Sequence, residues 1–410
     1  MKRKILIIGN SAGAYALAKK LSEEHEIYVT PSSDSMKDFA TTLDIREDNI
    51  NELLDFVMEN GIDMTIPISK KALMSDIVTK FNNNHQQIFG ASAKANDIVF
   101  NKPNAKKALY KLRIPTPKFG IFEKSNLALD YIRNQTVPFV IKTNDTNSAA
   151  IITSALSAKN IIESSSIDKN RRIIIEDYIY GTPFSFYAIT DGYKALPIGS
   201  SILYKHSLDG DGGQLTSGMG SCVPNYKLSI EQEYYIMENI IYPTLDYLDI
   251  SGNPYLGILG INAILTDDNK IYVLGWHSFM QDSDTAGVLS NIDEDLYSIF
   301  ESCIIGSFSD EAENIKLKDR ASVSIVLACK NKENKENIIK GLDNIDAELN
   351  FYPSVKKNKY LELEADYGPV LSVTVNSSTI GNAIKIAYEE VKQIDFAGIS
   401  FRKDICKIND

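Results

Sequence analysis

A chain of 410 residues is long enough for two to four domains, and 44% hydrophobic with 24% charged residues is the balance of an ordinary globular protein, which excludes disordered, collagen-like and membrane-dominated classes. With 43 Lys and Arg against 54 Asp and Glu the formal net charge is −11, so the surface as a whole repels phosphate backbones and nucleic acid is not an expected partner. Cys222, Cys303, Cys329 and Cys406 are scattered without a Cys-x-x-Cys pair, and no secretory leader precedes Lys2, Arg3 and Lys4. Reduced thiols, a cytoplasmic location and no zinc site are therefore expected. Apolar runs such as Ile258 to Leu265 fall short of the roughly 18–20 residues a spanning helix needs, so no membrane segment is predicted.

Lys4 to Ile8 is a nearly continuous β-rich run, Gly9 to Gly13 a tight turn, and Ala14 to Leu21 has helical spacing. The turn has the shape of a phosphate loop at a helix N-terminus without the complete Gly-x-Gly-x-x-Gly pattern; an anion site and a plain strand-to-helix turn both remain open. Ile27 to Val29, Met64 to Ile68 and Gln87 to Phe89 read as further strands and Asn51 to Asn60 as a helix. This alternation predicts a doubly wound parallel sheet over about the first 95 residues. A helix over Asn96 to Leu112 follows, carrying Lys102, Lys106, Lys107 and Lys111, and Ile114-Pro115-Thr116-Pro117 ends it.

Phe139 to Lys142, Ile151 to Thr153, Arg172 to Glu176 and Ser185 to Ile189 then read as strands, many of them antiparallel, with Asp191-Gly192 as a hairpin turn. Leu208 to Gly220 holds Gly210, Gly212, Gly213, Gly218 and Gly220, and is predicted to be a loop where backbone comes close to something else. Glu231 to Leu248 is an amphipathic helix with a kink expected at Pro243; Leu256 to Leu265 and Ile271 to Leu274 form a hairpin. The polar, acidic Ser309 to Lys318 is a plausible boundary. Ala321 to Ala328, Tyr360 to Leu363 and Val370 to Val375 are predicted strands, and Ser378 to Gln393 a helix.

Lys142 ends an apolar strand, where ligand crevices open in such sheets; a nucleotide phosphate is a natural partner, and a snorkelling surface lysine is the alternative. Glu176 and Asp177 end another, where a carboxylate can accept from an adenine amino group or a ribose hydroxyl, or simply face water. Asp282 and Asp284 flank Ser283 in a spacing that could hold Mg²⁺ or be merely solvated, and His277 is a base, a ligand or a hydrogen-bonded structural residue.

Taken in order, these pieces resemble the glycinamide ribonucleotide synthetases (phosphoribosylamine–glycine ligases), ATP-grasp enzymes of purine biosynthesis, over nearly the whole chain. The likeness rests on Ile7-Ile8-Gly9-Asn10, Ile62 to Ile66, Ile88-Phe89-Gly90, Lys102, Ile114-Pro115-Thr116, Val140-Ile141-Lys142, Ile175-Glu176-Asp177-Tyr178, Asp191-Gly192 with Leu196-Pro197, Thr216 to Gly220 and Phe401 to Ile405. It implies an α/β chain with an N-terminal Rossmann-like parallel sheet over 1–98, an ATP-grasp domain over 99–312 with a mobile subdomain at about 118–188, and a small C-terminal α/β domain over 313–410. The implied reaction joins glycine to 5-phosphoribosylamine through a glycyl phosphate made from ATP, with Mg²⁺ bridging the phosphates. The partners implied are these small molecules, with no nucleic acid and no membrane, acting on a monomer or homodimer. Lys102 and Lys142 would hold ATP phosphates, and Glu176 with Asp177, Tyr178 and Ile179 would read adenine. Gly9, Asn10, Lys205, Asp209, Gly218, Met219 and Gly220 would line the acceptor side, and Asp282, Asp284 and His277 would be the candidate metal ligands.

The chain departs from the family pattern at four places. The family's Gly-Gly-Arg-Glu is Ser11-Ala12-Gly13-Ala14, its Gly-Pro-Glu is Ile68-Ser69-Lys70, and its Gly-Lys-Gly-Val is Ala149-Ala150-Ile151-Ile152. Its metal-binding Glu-Phe-Asn is Gly275-Trp276-His277, with Phe279 in place of the following arginine. Losing these groups together would raise a phosphoryl-transfer barrier by several kcal/mol, at about 1.4 kcal/mol per tenfold in rate. A silenced nucleotide- or phosphoribosyl-binding paralogue and a ligase for another acid and amine therefore stand as alternatives.

Overall fold

In the computed structural model, residues 2–143, 149–165, 172–308, 314–331 and 337–407 are described. Lys4–Ile8 (β1) is the buried centre of a parallel sheet in the order β3-β2-β1-β4, with Glu26–Thr30 (β2), Thr41–Thr42 (β3) and Met64–Pro67 (β4). Ile88 adds a single parallel bridge to Thr65 where a fourth full strand was expected. Ser11 caps the helix Ala12–Ser22 by accepting the Ala14 N–H at 3.2 Å, so the strand-turn-helix reading of this segment holds. Gly9 adopts φ +145°, and a Cβ there would lie 3.0 Å from Ile68, so the turn joining β1 to this helix needs glycine.

The helix expected over Asn96 to Leu112 is two, Asp97–Phe100 and Lys102–Lys111. Asn101 leaves helical geometry at φ −104°, ψ 91° and its side chain accepts the Asn104 N–H at 3.3 Å, because Pro103 suits a helix's first turn and not its interior. Phe119–Phe122 (β5), Phe139–Thr143 (β6), Ala149–Ile152 (β7) and Ile173–Asp177 (β8) form a separate antiparallel sheet in the order β5-β8-β6-β7, over a core of Ile141, Ile152, Ile162 and Ile175.

The largest sheet has Thr182–Thr190 (β9) and Ala195–Leu203 (β10) as a hairpin across Asp191-Gly192, a four-residue connection where Gly192 takes φ +104°. The glycine-rich segment is a small hairpin, His206–Leu208 (β11) with Gly212–Leu215 (β12), that leads into Gly220–Val223 (β13). Gly257–Leu265 (β14) and Ile271–His277 (β15) form the predicted hairpin. Ala321–Cys329 (β16) pairs with β13, so the C-terminal strands Glu348–Phe351 (β17) and Gly368–Ser377 (β20) continue the same sheet, in the order β15-β14-β9-β10-β13-β16-β20-β17. Lys356–Lys357 (β18) and Leu363–Glu364 (β19) make a small separate ladder, and Ile399–Ser400 (β21) pairs with β16. Residues 309–313, where the expected boundary begins, lie outside the described residues.

The helix predicted over Glu231 to Leu248 spans Ile230 to Ile250 and contains one π-helical turn, Met237–Ile241, immediately before Pro243. Widening the turn there accommodates a residue that has no N–H to give. The expectation of four reduced thiols is corrected: Cys222 on β13 and Cys406 form a disulfide, with Cα atoms 5.8 Å apart, while Cys303 and Cys329 are free and buried. The partners are 184 residues apart in sequence, and only the return of the C-terminal segment alongside β13 brings them together. No described helix is long and apolar enough to cross a membrane.

Candidate active site

Two clusters of buried polar groups make up the candidate site. The first is built on antiparallel pairing: Val140 on β6 pairs with Glu176 on β8, so Lys142, two residues on, shares the face of Glu176. Lys142 Nζ pairs with Glu176 Oε1. From the other side Lys106, on the inward face of its helix with Ala105 and Leu109, brings Nζ to 2.7 Å from Glu176 Oε2 and donates to Thr116 Oγ1 at 2.8 Å. Thr116 in turn donates to the Val273 carbonyl at 2.8 Å, which fixes the cluster to β15. Burial alone would raise the Glu176 carboxyl, but the Lys142 and Lys106 ammonium groups outweigh it and hold Glu176 ionised below the usual range. Burial lowers Lys106 to about 8 in spite of Glu176, with Lys142 adding to the drop.

Lys142, expected on a phosphate, and Glu176, expected on adenine or ribose, instead pair with each other, and each Glu176 oxygen faces an ammonium. Asp177, Tyr178 and Ile179 follow it in the chain and are half-buried. Lys102 lies on the same helix and is half-buried; Lys106, one turn later, is the residue that reaches Glu176. Sequence reasoning passed over Lys106 among four lysines. Its signal was its spacing from Ala105, Ala108 and Leu109, which puts it on the helix's buried side.

The second cluster lies where the carboxyl ends of β1 and β4 meet the segment after β15. A narrow cavity opens there, walled by Leu17, Ile68, Phe89, Phe279 and Met280, with Ser11, Ser278 and Thr285 as polar lining. The question left open for the Gly9–Gly13 turn is answered by Asp282: its Oδ1 accepts the Gly13 N–H at 2.8 Å, so a carboxylate of this chain takes the place at the helix N-terminus that a phosphate would fill. Gly218, at φ +144°, packs directly on the Ser283 side chain, and Ser221 donates to the Ser283 carbonyl at 2.7 Å. Met219 is buried and its N–H bonds the Tyr204 carbonyl at 2.7 Å. Lys205 donates to the Ser217 carbonyl at 3.1 Å and to Gln281 Oε1. Burial lowers its ammonium to about 8, against the pull of Asp284 and Asp282.

Of the residues expected on the acceptor side, Gly9 packs on Ile68, which walls the cavity, and Lys205 and Gly218 contact Gln281 and Ser283 just after it, whereas Gly220 packs on Ser324 and Ile405. Asp209 is exposed and accepts the Lys403 N–H at 2.7 Å, next to Arg402, which is buried between Asp404 and Asp211. Asp209 anchors the C-terminal segment and does not line this cavity.

The metal expectation is also corrected. Asp284 is fully buried, and its two oxygens accept from Tyr187 Oη at 3.1 and 3.0 Å and from Ser201 Oγ at 2.6 Å. Burial raises its carboxyl to about 6. Asp282 is committed to Gly13, and His277 Nε2 is sealed from solvent without a hydrogen-bond partner. Among the described residues, these three do not bring ligand atoms together; the one group of His, Cys, Asp or Glu that does is Glu24, His25 and Asp295. Mg²⁺ prefers oxygen donors, and Gly275, Trp276 and His277 at the end of β15 supply no carboxylate, so these residues do not fit it.

Burial, aided by the Lys205 ammonium, drives the His277 imidazole from its ordinary 6.5 down to about 3. The unfolded chain therefore binds a proton that the folded one refuses between those values, and stability falls as pH drops through this window. Asp284 acts in the opposite sense, since a carboxyl held up at about 6 adds stability as pH falls. His277→Gln is expected to remove the first slope alone and recover roughly 2–3 kcal/mol of the loss between pH 6.5 and pH 4, read from urea midpoints across that range.

Residues 3–98 match the family model of the phosphoribosylglycinamide synthetase N domain, and residues 100–285 that of the phosphoribosylglycinamide synthetase ATP-grasp (A) domain. The chain belongs to the phosphoribosylglycinamide synthetase family. It is 28% identical over 415 residues to the phosphoribosylamine–glycine ligase of Halalkalibacterium halodurans, covering 98% of this chain and 96% of that protein. It is 27% identical over 410 residues to that of Lactococcus lactis, covering 98% of each. The solved phosphoribosylamine–glycine ligase of Thermotoga maritima superposes with a TM-score of 0.81 at 20% identity, over 98% of this chain and 100% of that one. The biotin carboxylase domain of Hydrogenobacter thermophilus 2-oxoglutarate carboxylase does so at 0.71 with 12% identity, over 98% and 92%, which places this synthetase-family chain in the wider ATP-grasp fold. Both parts of the fold expectation, the parallel first sheet and the ATP-grasp body, are met.

Proposed function

We propose that the protein is an ATP-dependent carbon–nitrogen ligase of purine biosynthesis that joins glycine to 5-phosphoribosylamine, giving glycinamide ribonucleotide, ADP and phosphate. The observation that carries this reading is the Lys106–Glu176–Lys142 cluster, two ammonium groups sharing one buried carboxylate in a chain of this family. One surplus positive charge in a poorly solvated crevice attracts a triphosphate. Of the two lysines, Lys142 has the more exposed side chain, 13% against 2% for Lys106, so Lys142 can exchange Glu176 for a phosphate oxygen while Lys106 holds Glu176 in place.

In the proposed reaction a glycine carboxylate oxygen attacks the γ-phosphorus and ADP leaves; the amine then attacks the acyl carbon, and phosphate leaves with that oxygen. Charge grows on the transferred group, and fixed cations lower the barrier where it grows. Lys142 supplies this for the phosphates. Lys102, Asp177, Tyr178 and Ile179 complete the nucleotide side in this reading; Gly9, Asn10, Lys205 and Gly218 to Gly220 form the acceptor side. No step is derived through Mg²⁺, because the residues at the end of β15 do not fit it. The unit over 1–98, the ATP-grasp body over 99–312 with a cover at about 118–188, and the part over 313–410 belong to the same proposal, as does a cytoplasmic site of action.

Glycine labelled with ¹⁸O in its carboxyl tests the acyl-phosphate route. One labelled oxygen is expected in each phosphate released; unlabelled phosphate from the same turnover would contradict it.

A further inference from the structure

We propose that Glu24, His25 and Asp295 bind one divalent transition-metal ion of the Zn²⁺ or Co²⁺ type, pinning the first sheet to the central body away from the crevice. Glu24 and His25 lie in the turn between the helix Ala12–Ser22 and β2, and Asp295 is the N-cap of the helix Leu296–Ile305. One ligand atom from each of the three lies within 4.8 Å of the other two.

His25 provides the independent observation. Its side chain is only 9% exposed, Nε2 faces Asp295 Oδ1 at 3.5 Å, and Nδ1 is buried with no hydrogen-bond partner. A buried imidazole nitrogen left unsatisfied, beside a second one held only by a long contact to a carboxylate, costs free energy unless something else fills that role. The ring is held by Tyr297, with centroids 5.2 Å apart, and a depression bordered by Lys20, Glu23 and Lys318 opens onto it from solvent.

The donor set decides the class of ion. Two carboxylates and one neutral imidazole carry two negative charges, which a divalent cation balances. Imidazole nitrogen beside carboxylate oxygen suits Zn²⁺, Co²⁺ and their neighbours, whereas Mg²⁺ and Ca²⁺ favour oxygen alone. Ligand atoms around a tetrahedral Zn²⁺ sit about 3.3 Å apart, so a small rotation of the exposed Glu24 closes the set. Asp295 is already oriented: the Tyr297 N–H donates to Oδ1 at 3.2 Å, while the Ser298 N–H and hydroxyl donate to Oδ2 at 2.9 and 2.6 Å, the outer support that metal carboxylates use.

The test is titration of the EDTA-treated full chain, without nucleotide, with Co²⁺ in the visible region. One equivalent is expected to give a saturating d–d absorption that Zn²⁺ displaces and millimolar Mg²⁺ does not. His25→Ala and Asp295→Asn should each weaken Co²⁺ at least about tenfold, asparagine being chosen because it still caps the helix. If His25→Ala gives no folded protein, His25→Gln is expected to give the same loss. Absorption that persists unchanged in the His25 and Asp295 variants, or the lack of any saturable signal in the wild type, would overturn the proposal.

Discussion

Glu176→Gln is expected to lower the free energy of unfolding by about 3–5 kcal/mol, the cost of leaving buried charge without its partner. Glutamine keeps the shape of the side chain and removes the charge that holds two ammonium groups in one poorly solvated place. Lys106 cannot turn to water, since its side chain is 2% exposed, and its other partner is the neutral Thr116 hydroxyl. The relief open to the variant is to shed a proton, which Lys106, already lowered to about 8, would do first. The loss should therefore shrink as pH rises from 7 to 9. Urea unfolding of wild type and variant at both pH values reads this directly, and a loss below about 1 kcal/mol at pH 7 would mean that Glu176 does not hold the cluster together.

The second large effect is on the nucleotide. Lys142→Ala is expected to weaken ATP binding at least roughly tenfold and to cut turnover by about 10²-fold or more, because a charge-assisted contact to the phosphates is worth more as charge develops on the transferred group. Stability should change far less than in Glu176→Gln, since Lys106 still neutralises Glu176 and the Lys142 side chain is not fully buried. Calorimetric titration of ATP against both proteins separates the two effects. Unchanged affinity would make Lys142 a structural partner of Glu176 and nothing more.

What the sequence made legible was local. The run Lys4 to Ile8, the turn glycine at Gly9, the Asp191-Gly192 hairpin and the helix irregularity before Pro243 each announce themselves within a few residues, because periodicity, φ and a missing N–H are properties of a short stretch. The order of motifs along the chain carried the family and hence the architecture. Contacts between distant segments were not legible. The Gly13 N–H meets Asp282 across 269 positions, and nothing near either residue says that the helix N-terminus is already filled from within. Asp284 looked like an exposed loop carboxylate until β9 and β10 placed Tyr187 and Ser201 on its oxygens. Lys106 is similar: four lysines on one helix look alike until burial selects the one that faces Glu176.

These long-range contacts bear on chemistry as well as on packing. Asp282, Asp284 and Glu176 each look like free carboxylates in the sequence, and each is committed to a donor in the fold. In the proposed function the ligand contacts then fall to cations and backbone, with Lys142 on the phosphates. Catalysis by this chain would thus rest on charge neutralisation and positioning more than on proton transfer by an acidic residue.

The most direct test of this account is release of ADP by the purified protein given ATP, Mg²⁺, glycine and freshly generated phosphoribosylamine, with each substrate omitted in turn. The account predicts ADP release that stops when ATP, glycine or phosphoribosylamine is left out. Folded protein that binds ATP yet releases no ADP with all of them present would contradict it, and would mark the chain as a family member that keeps the fold and the nucleotide cluster without the ligation.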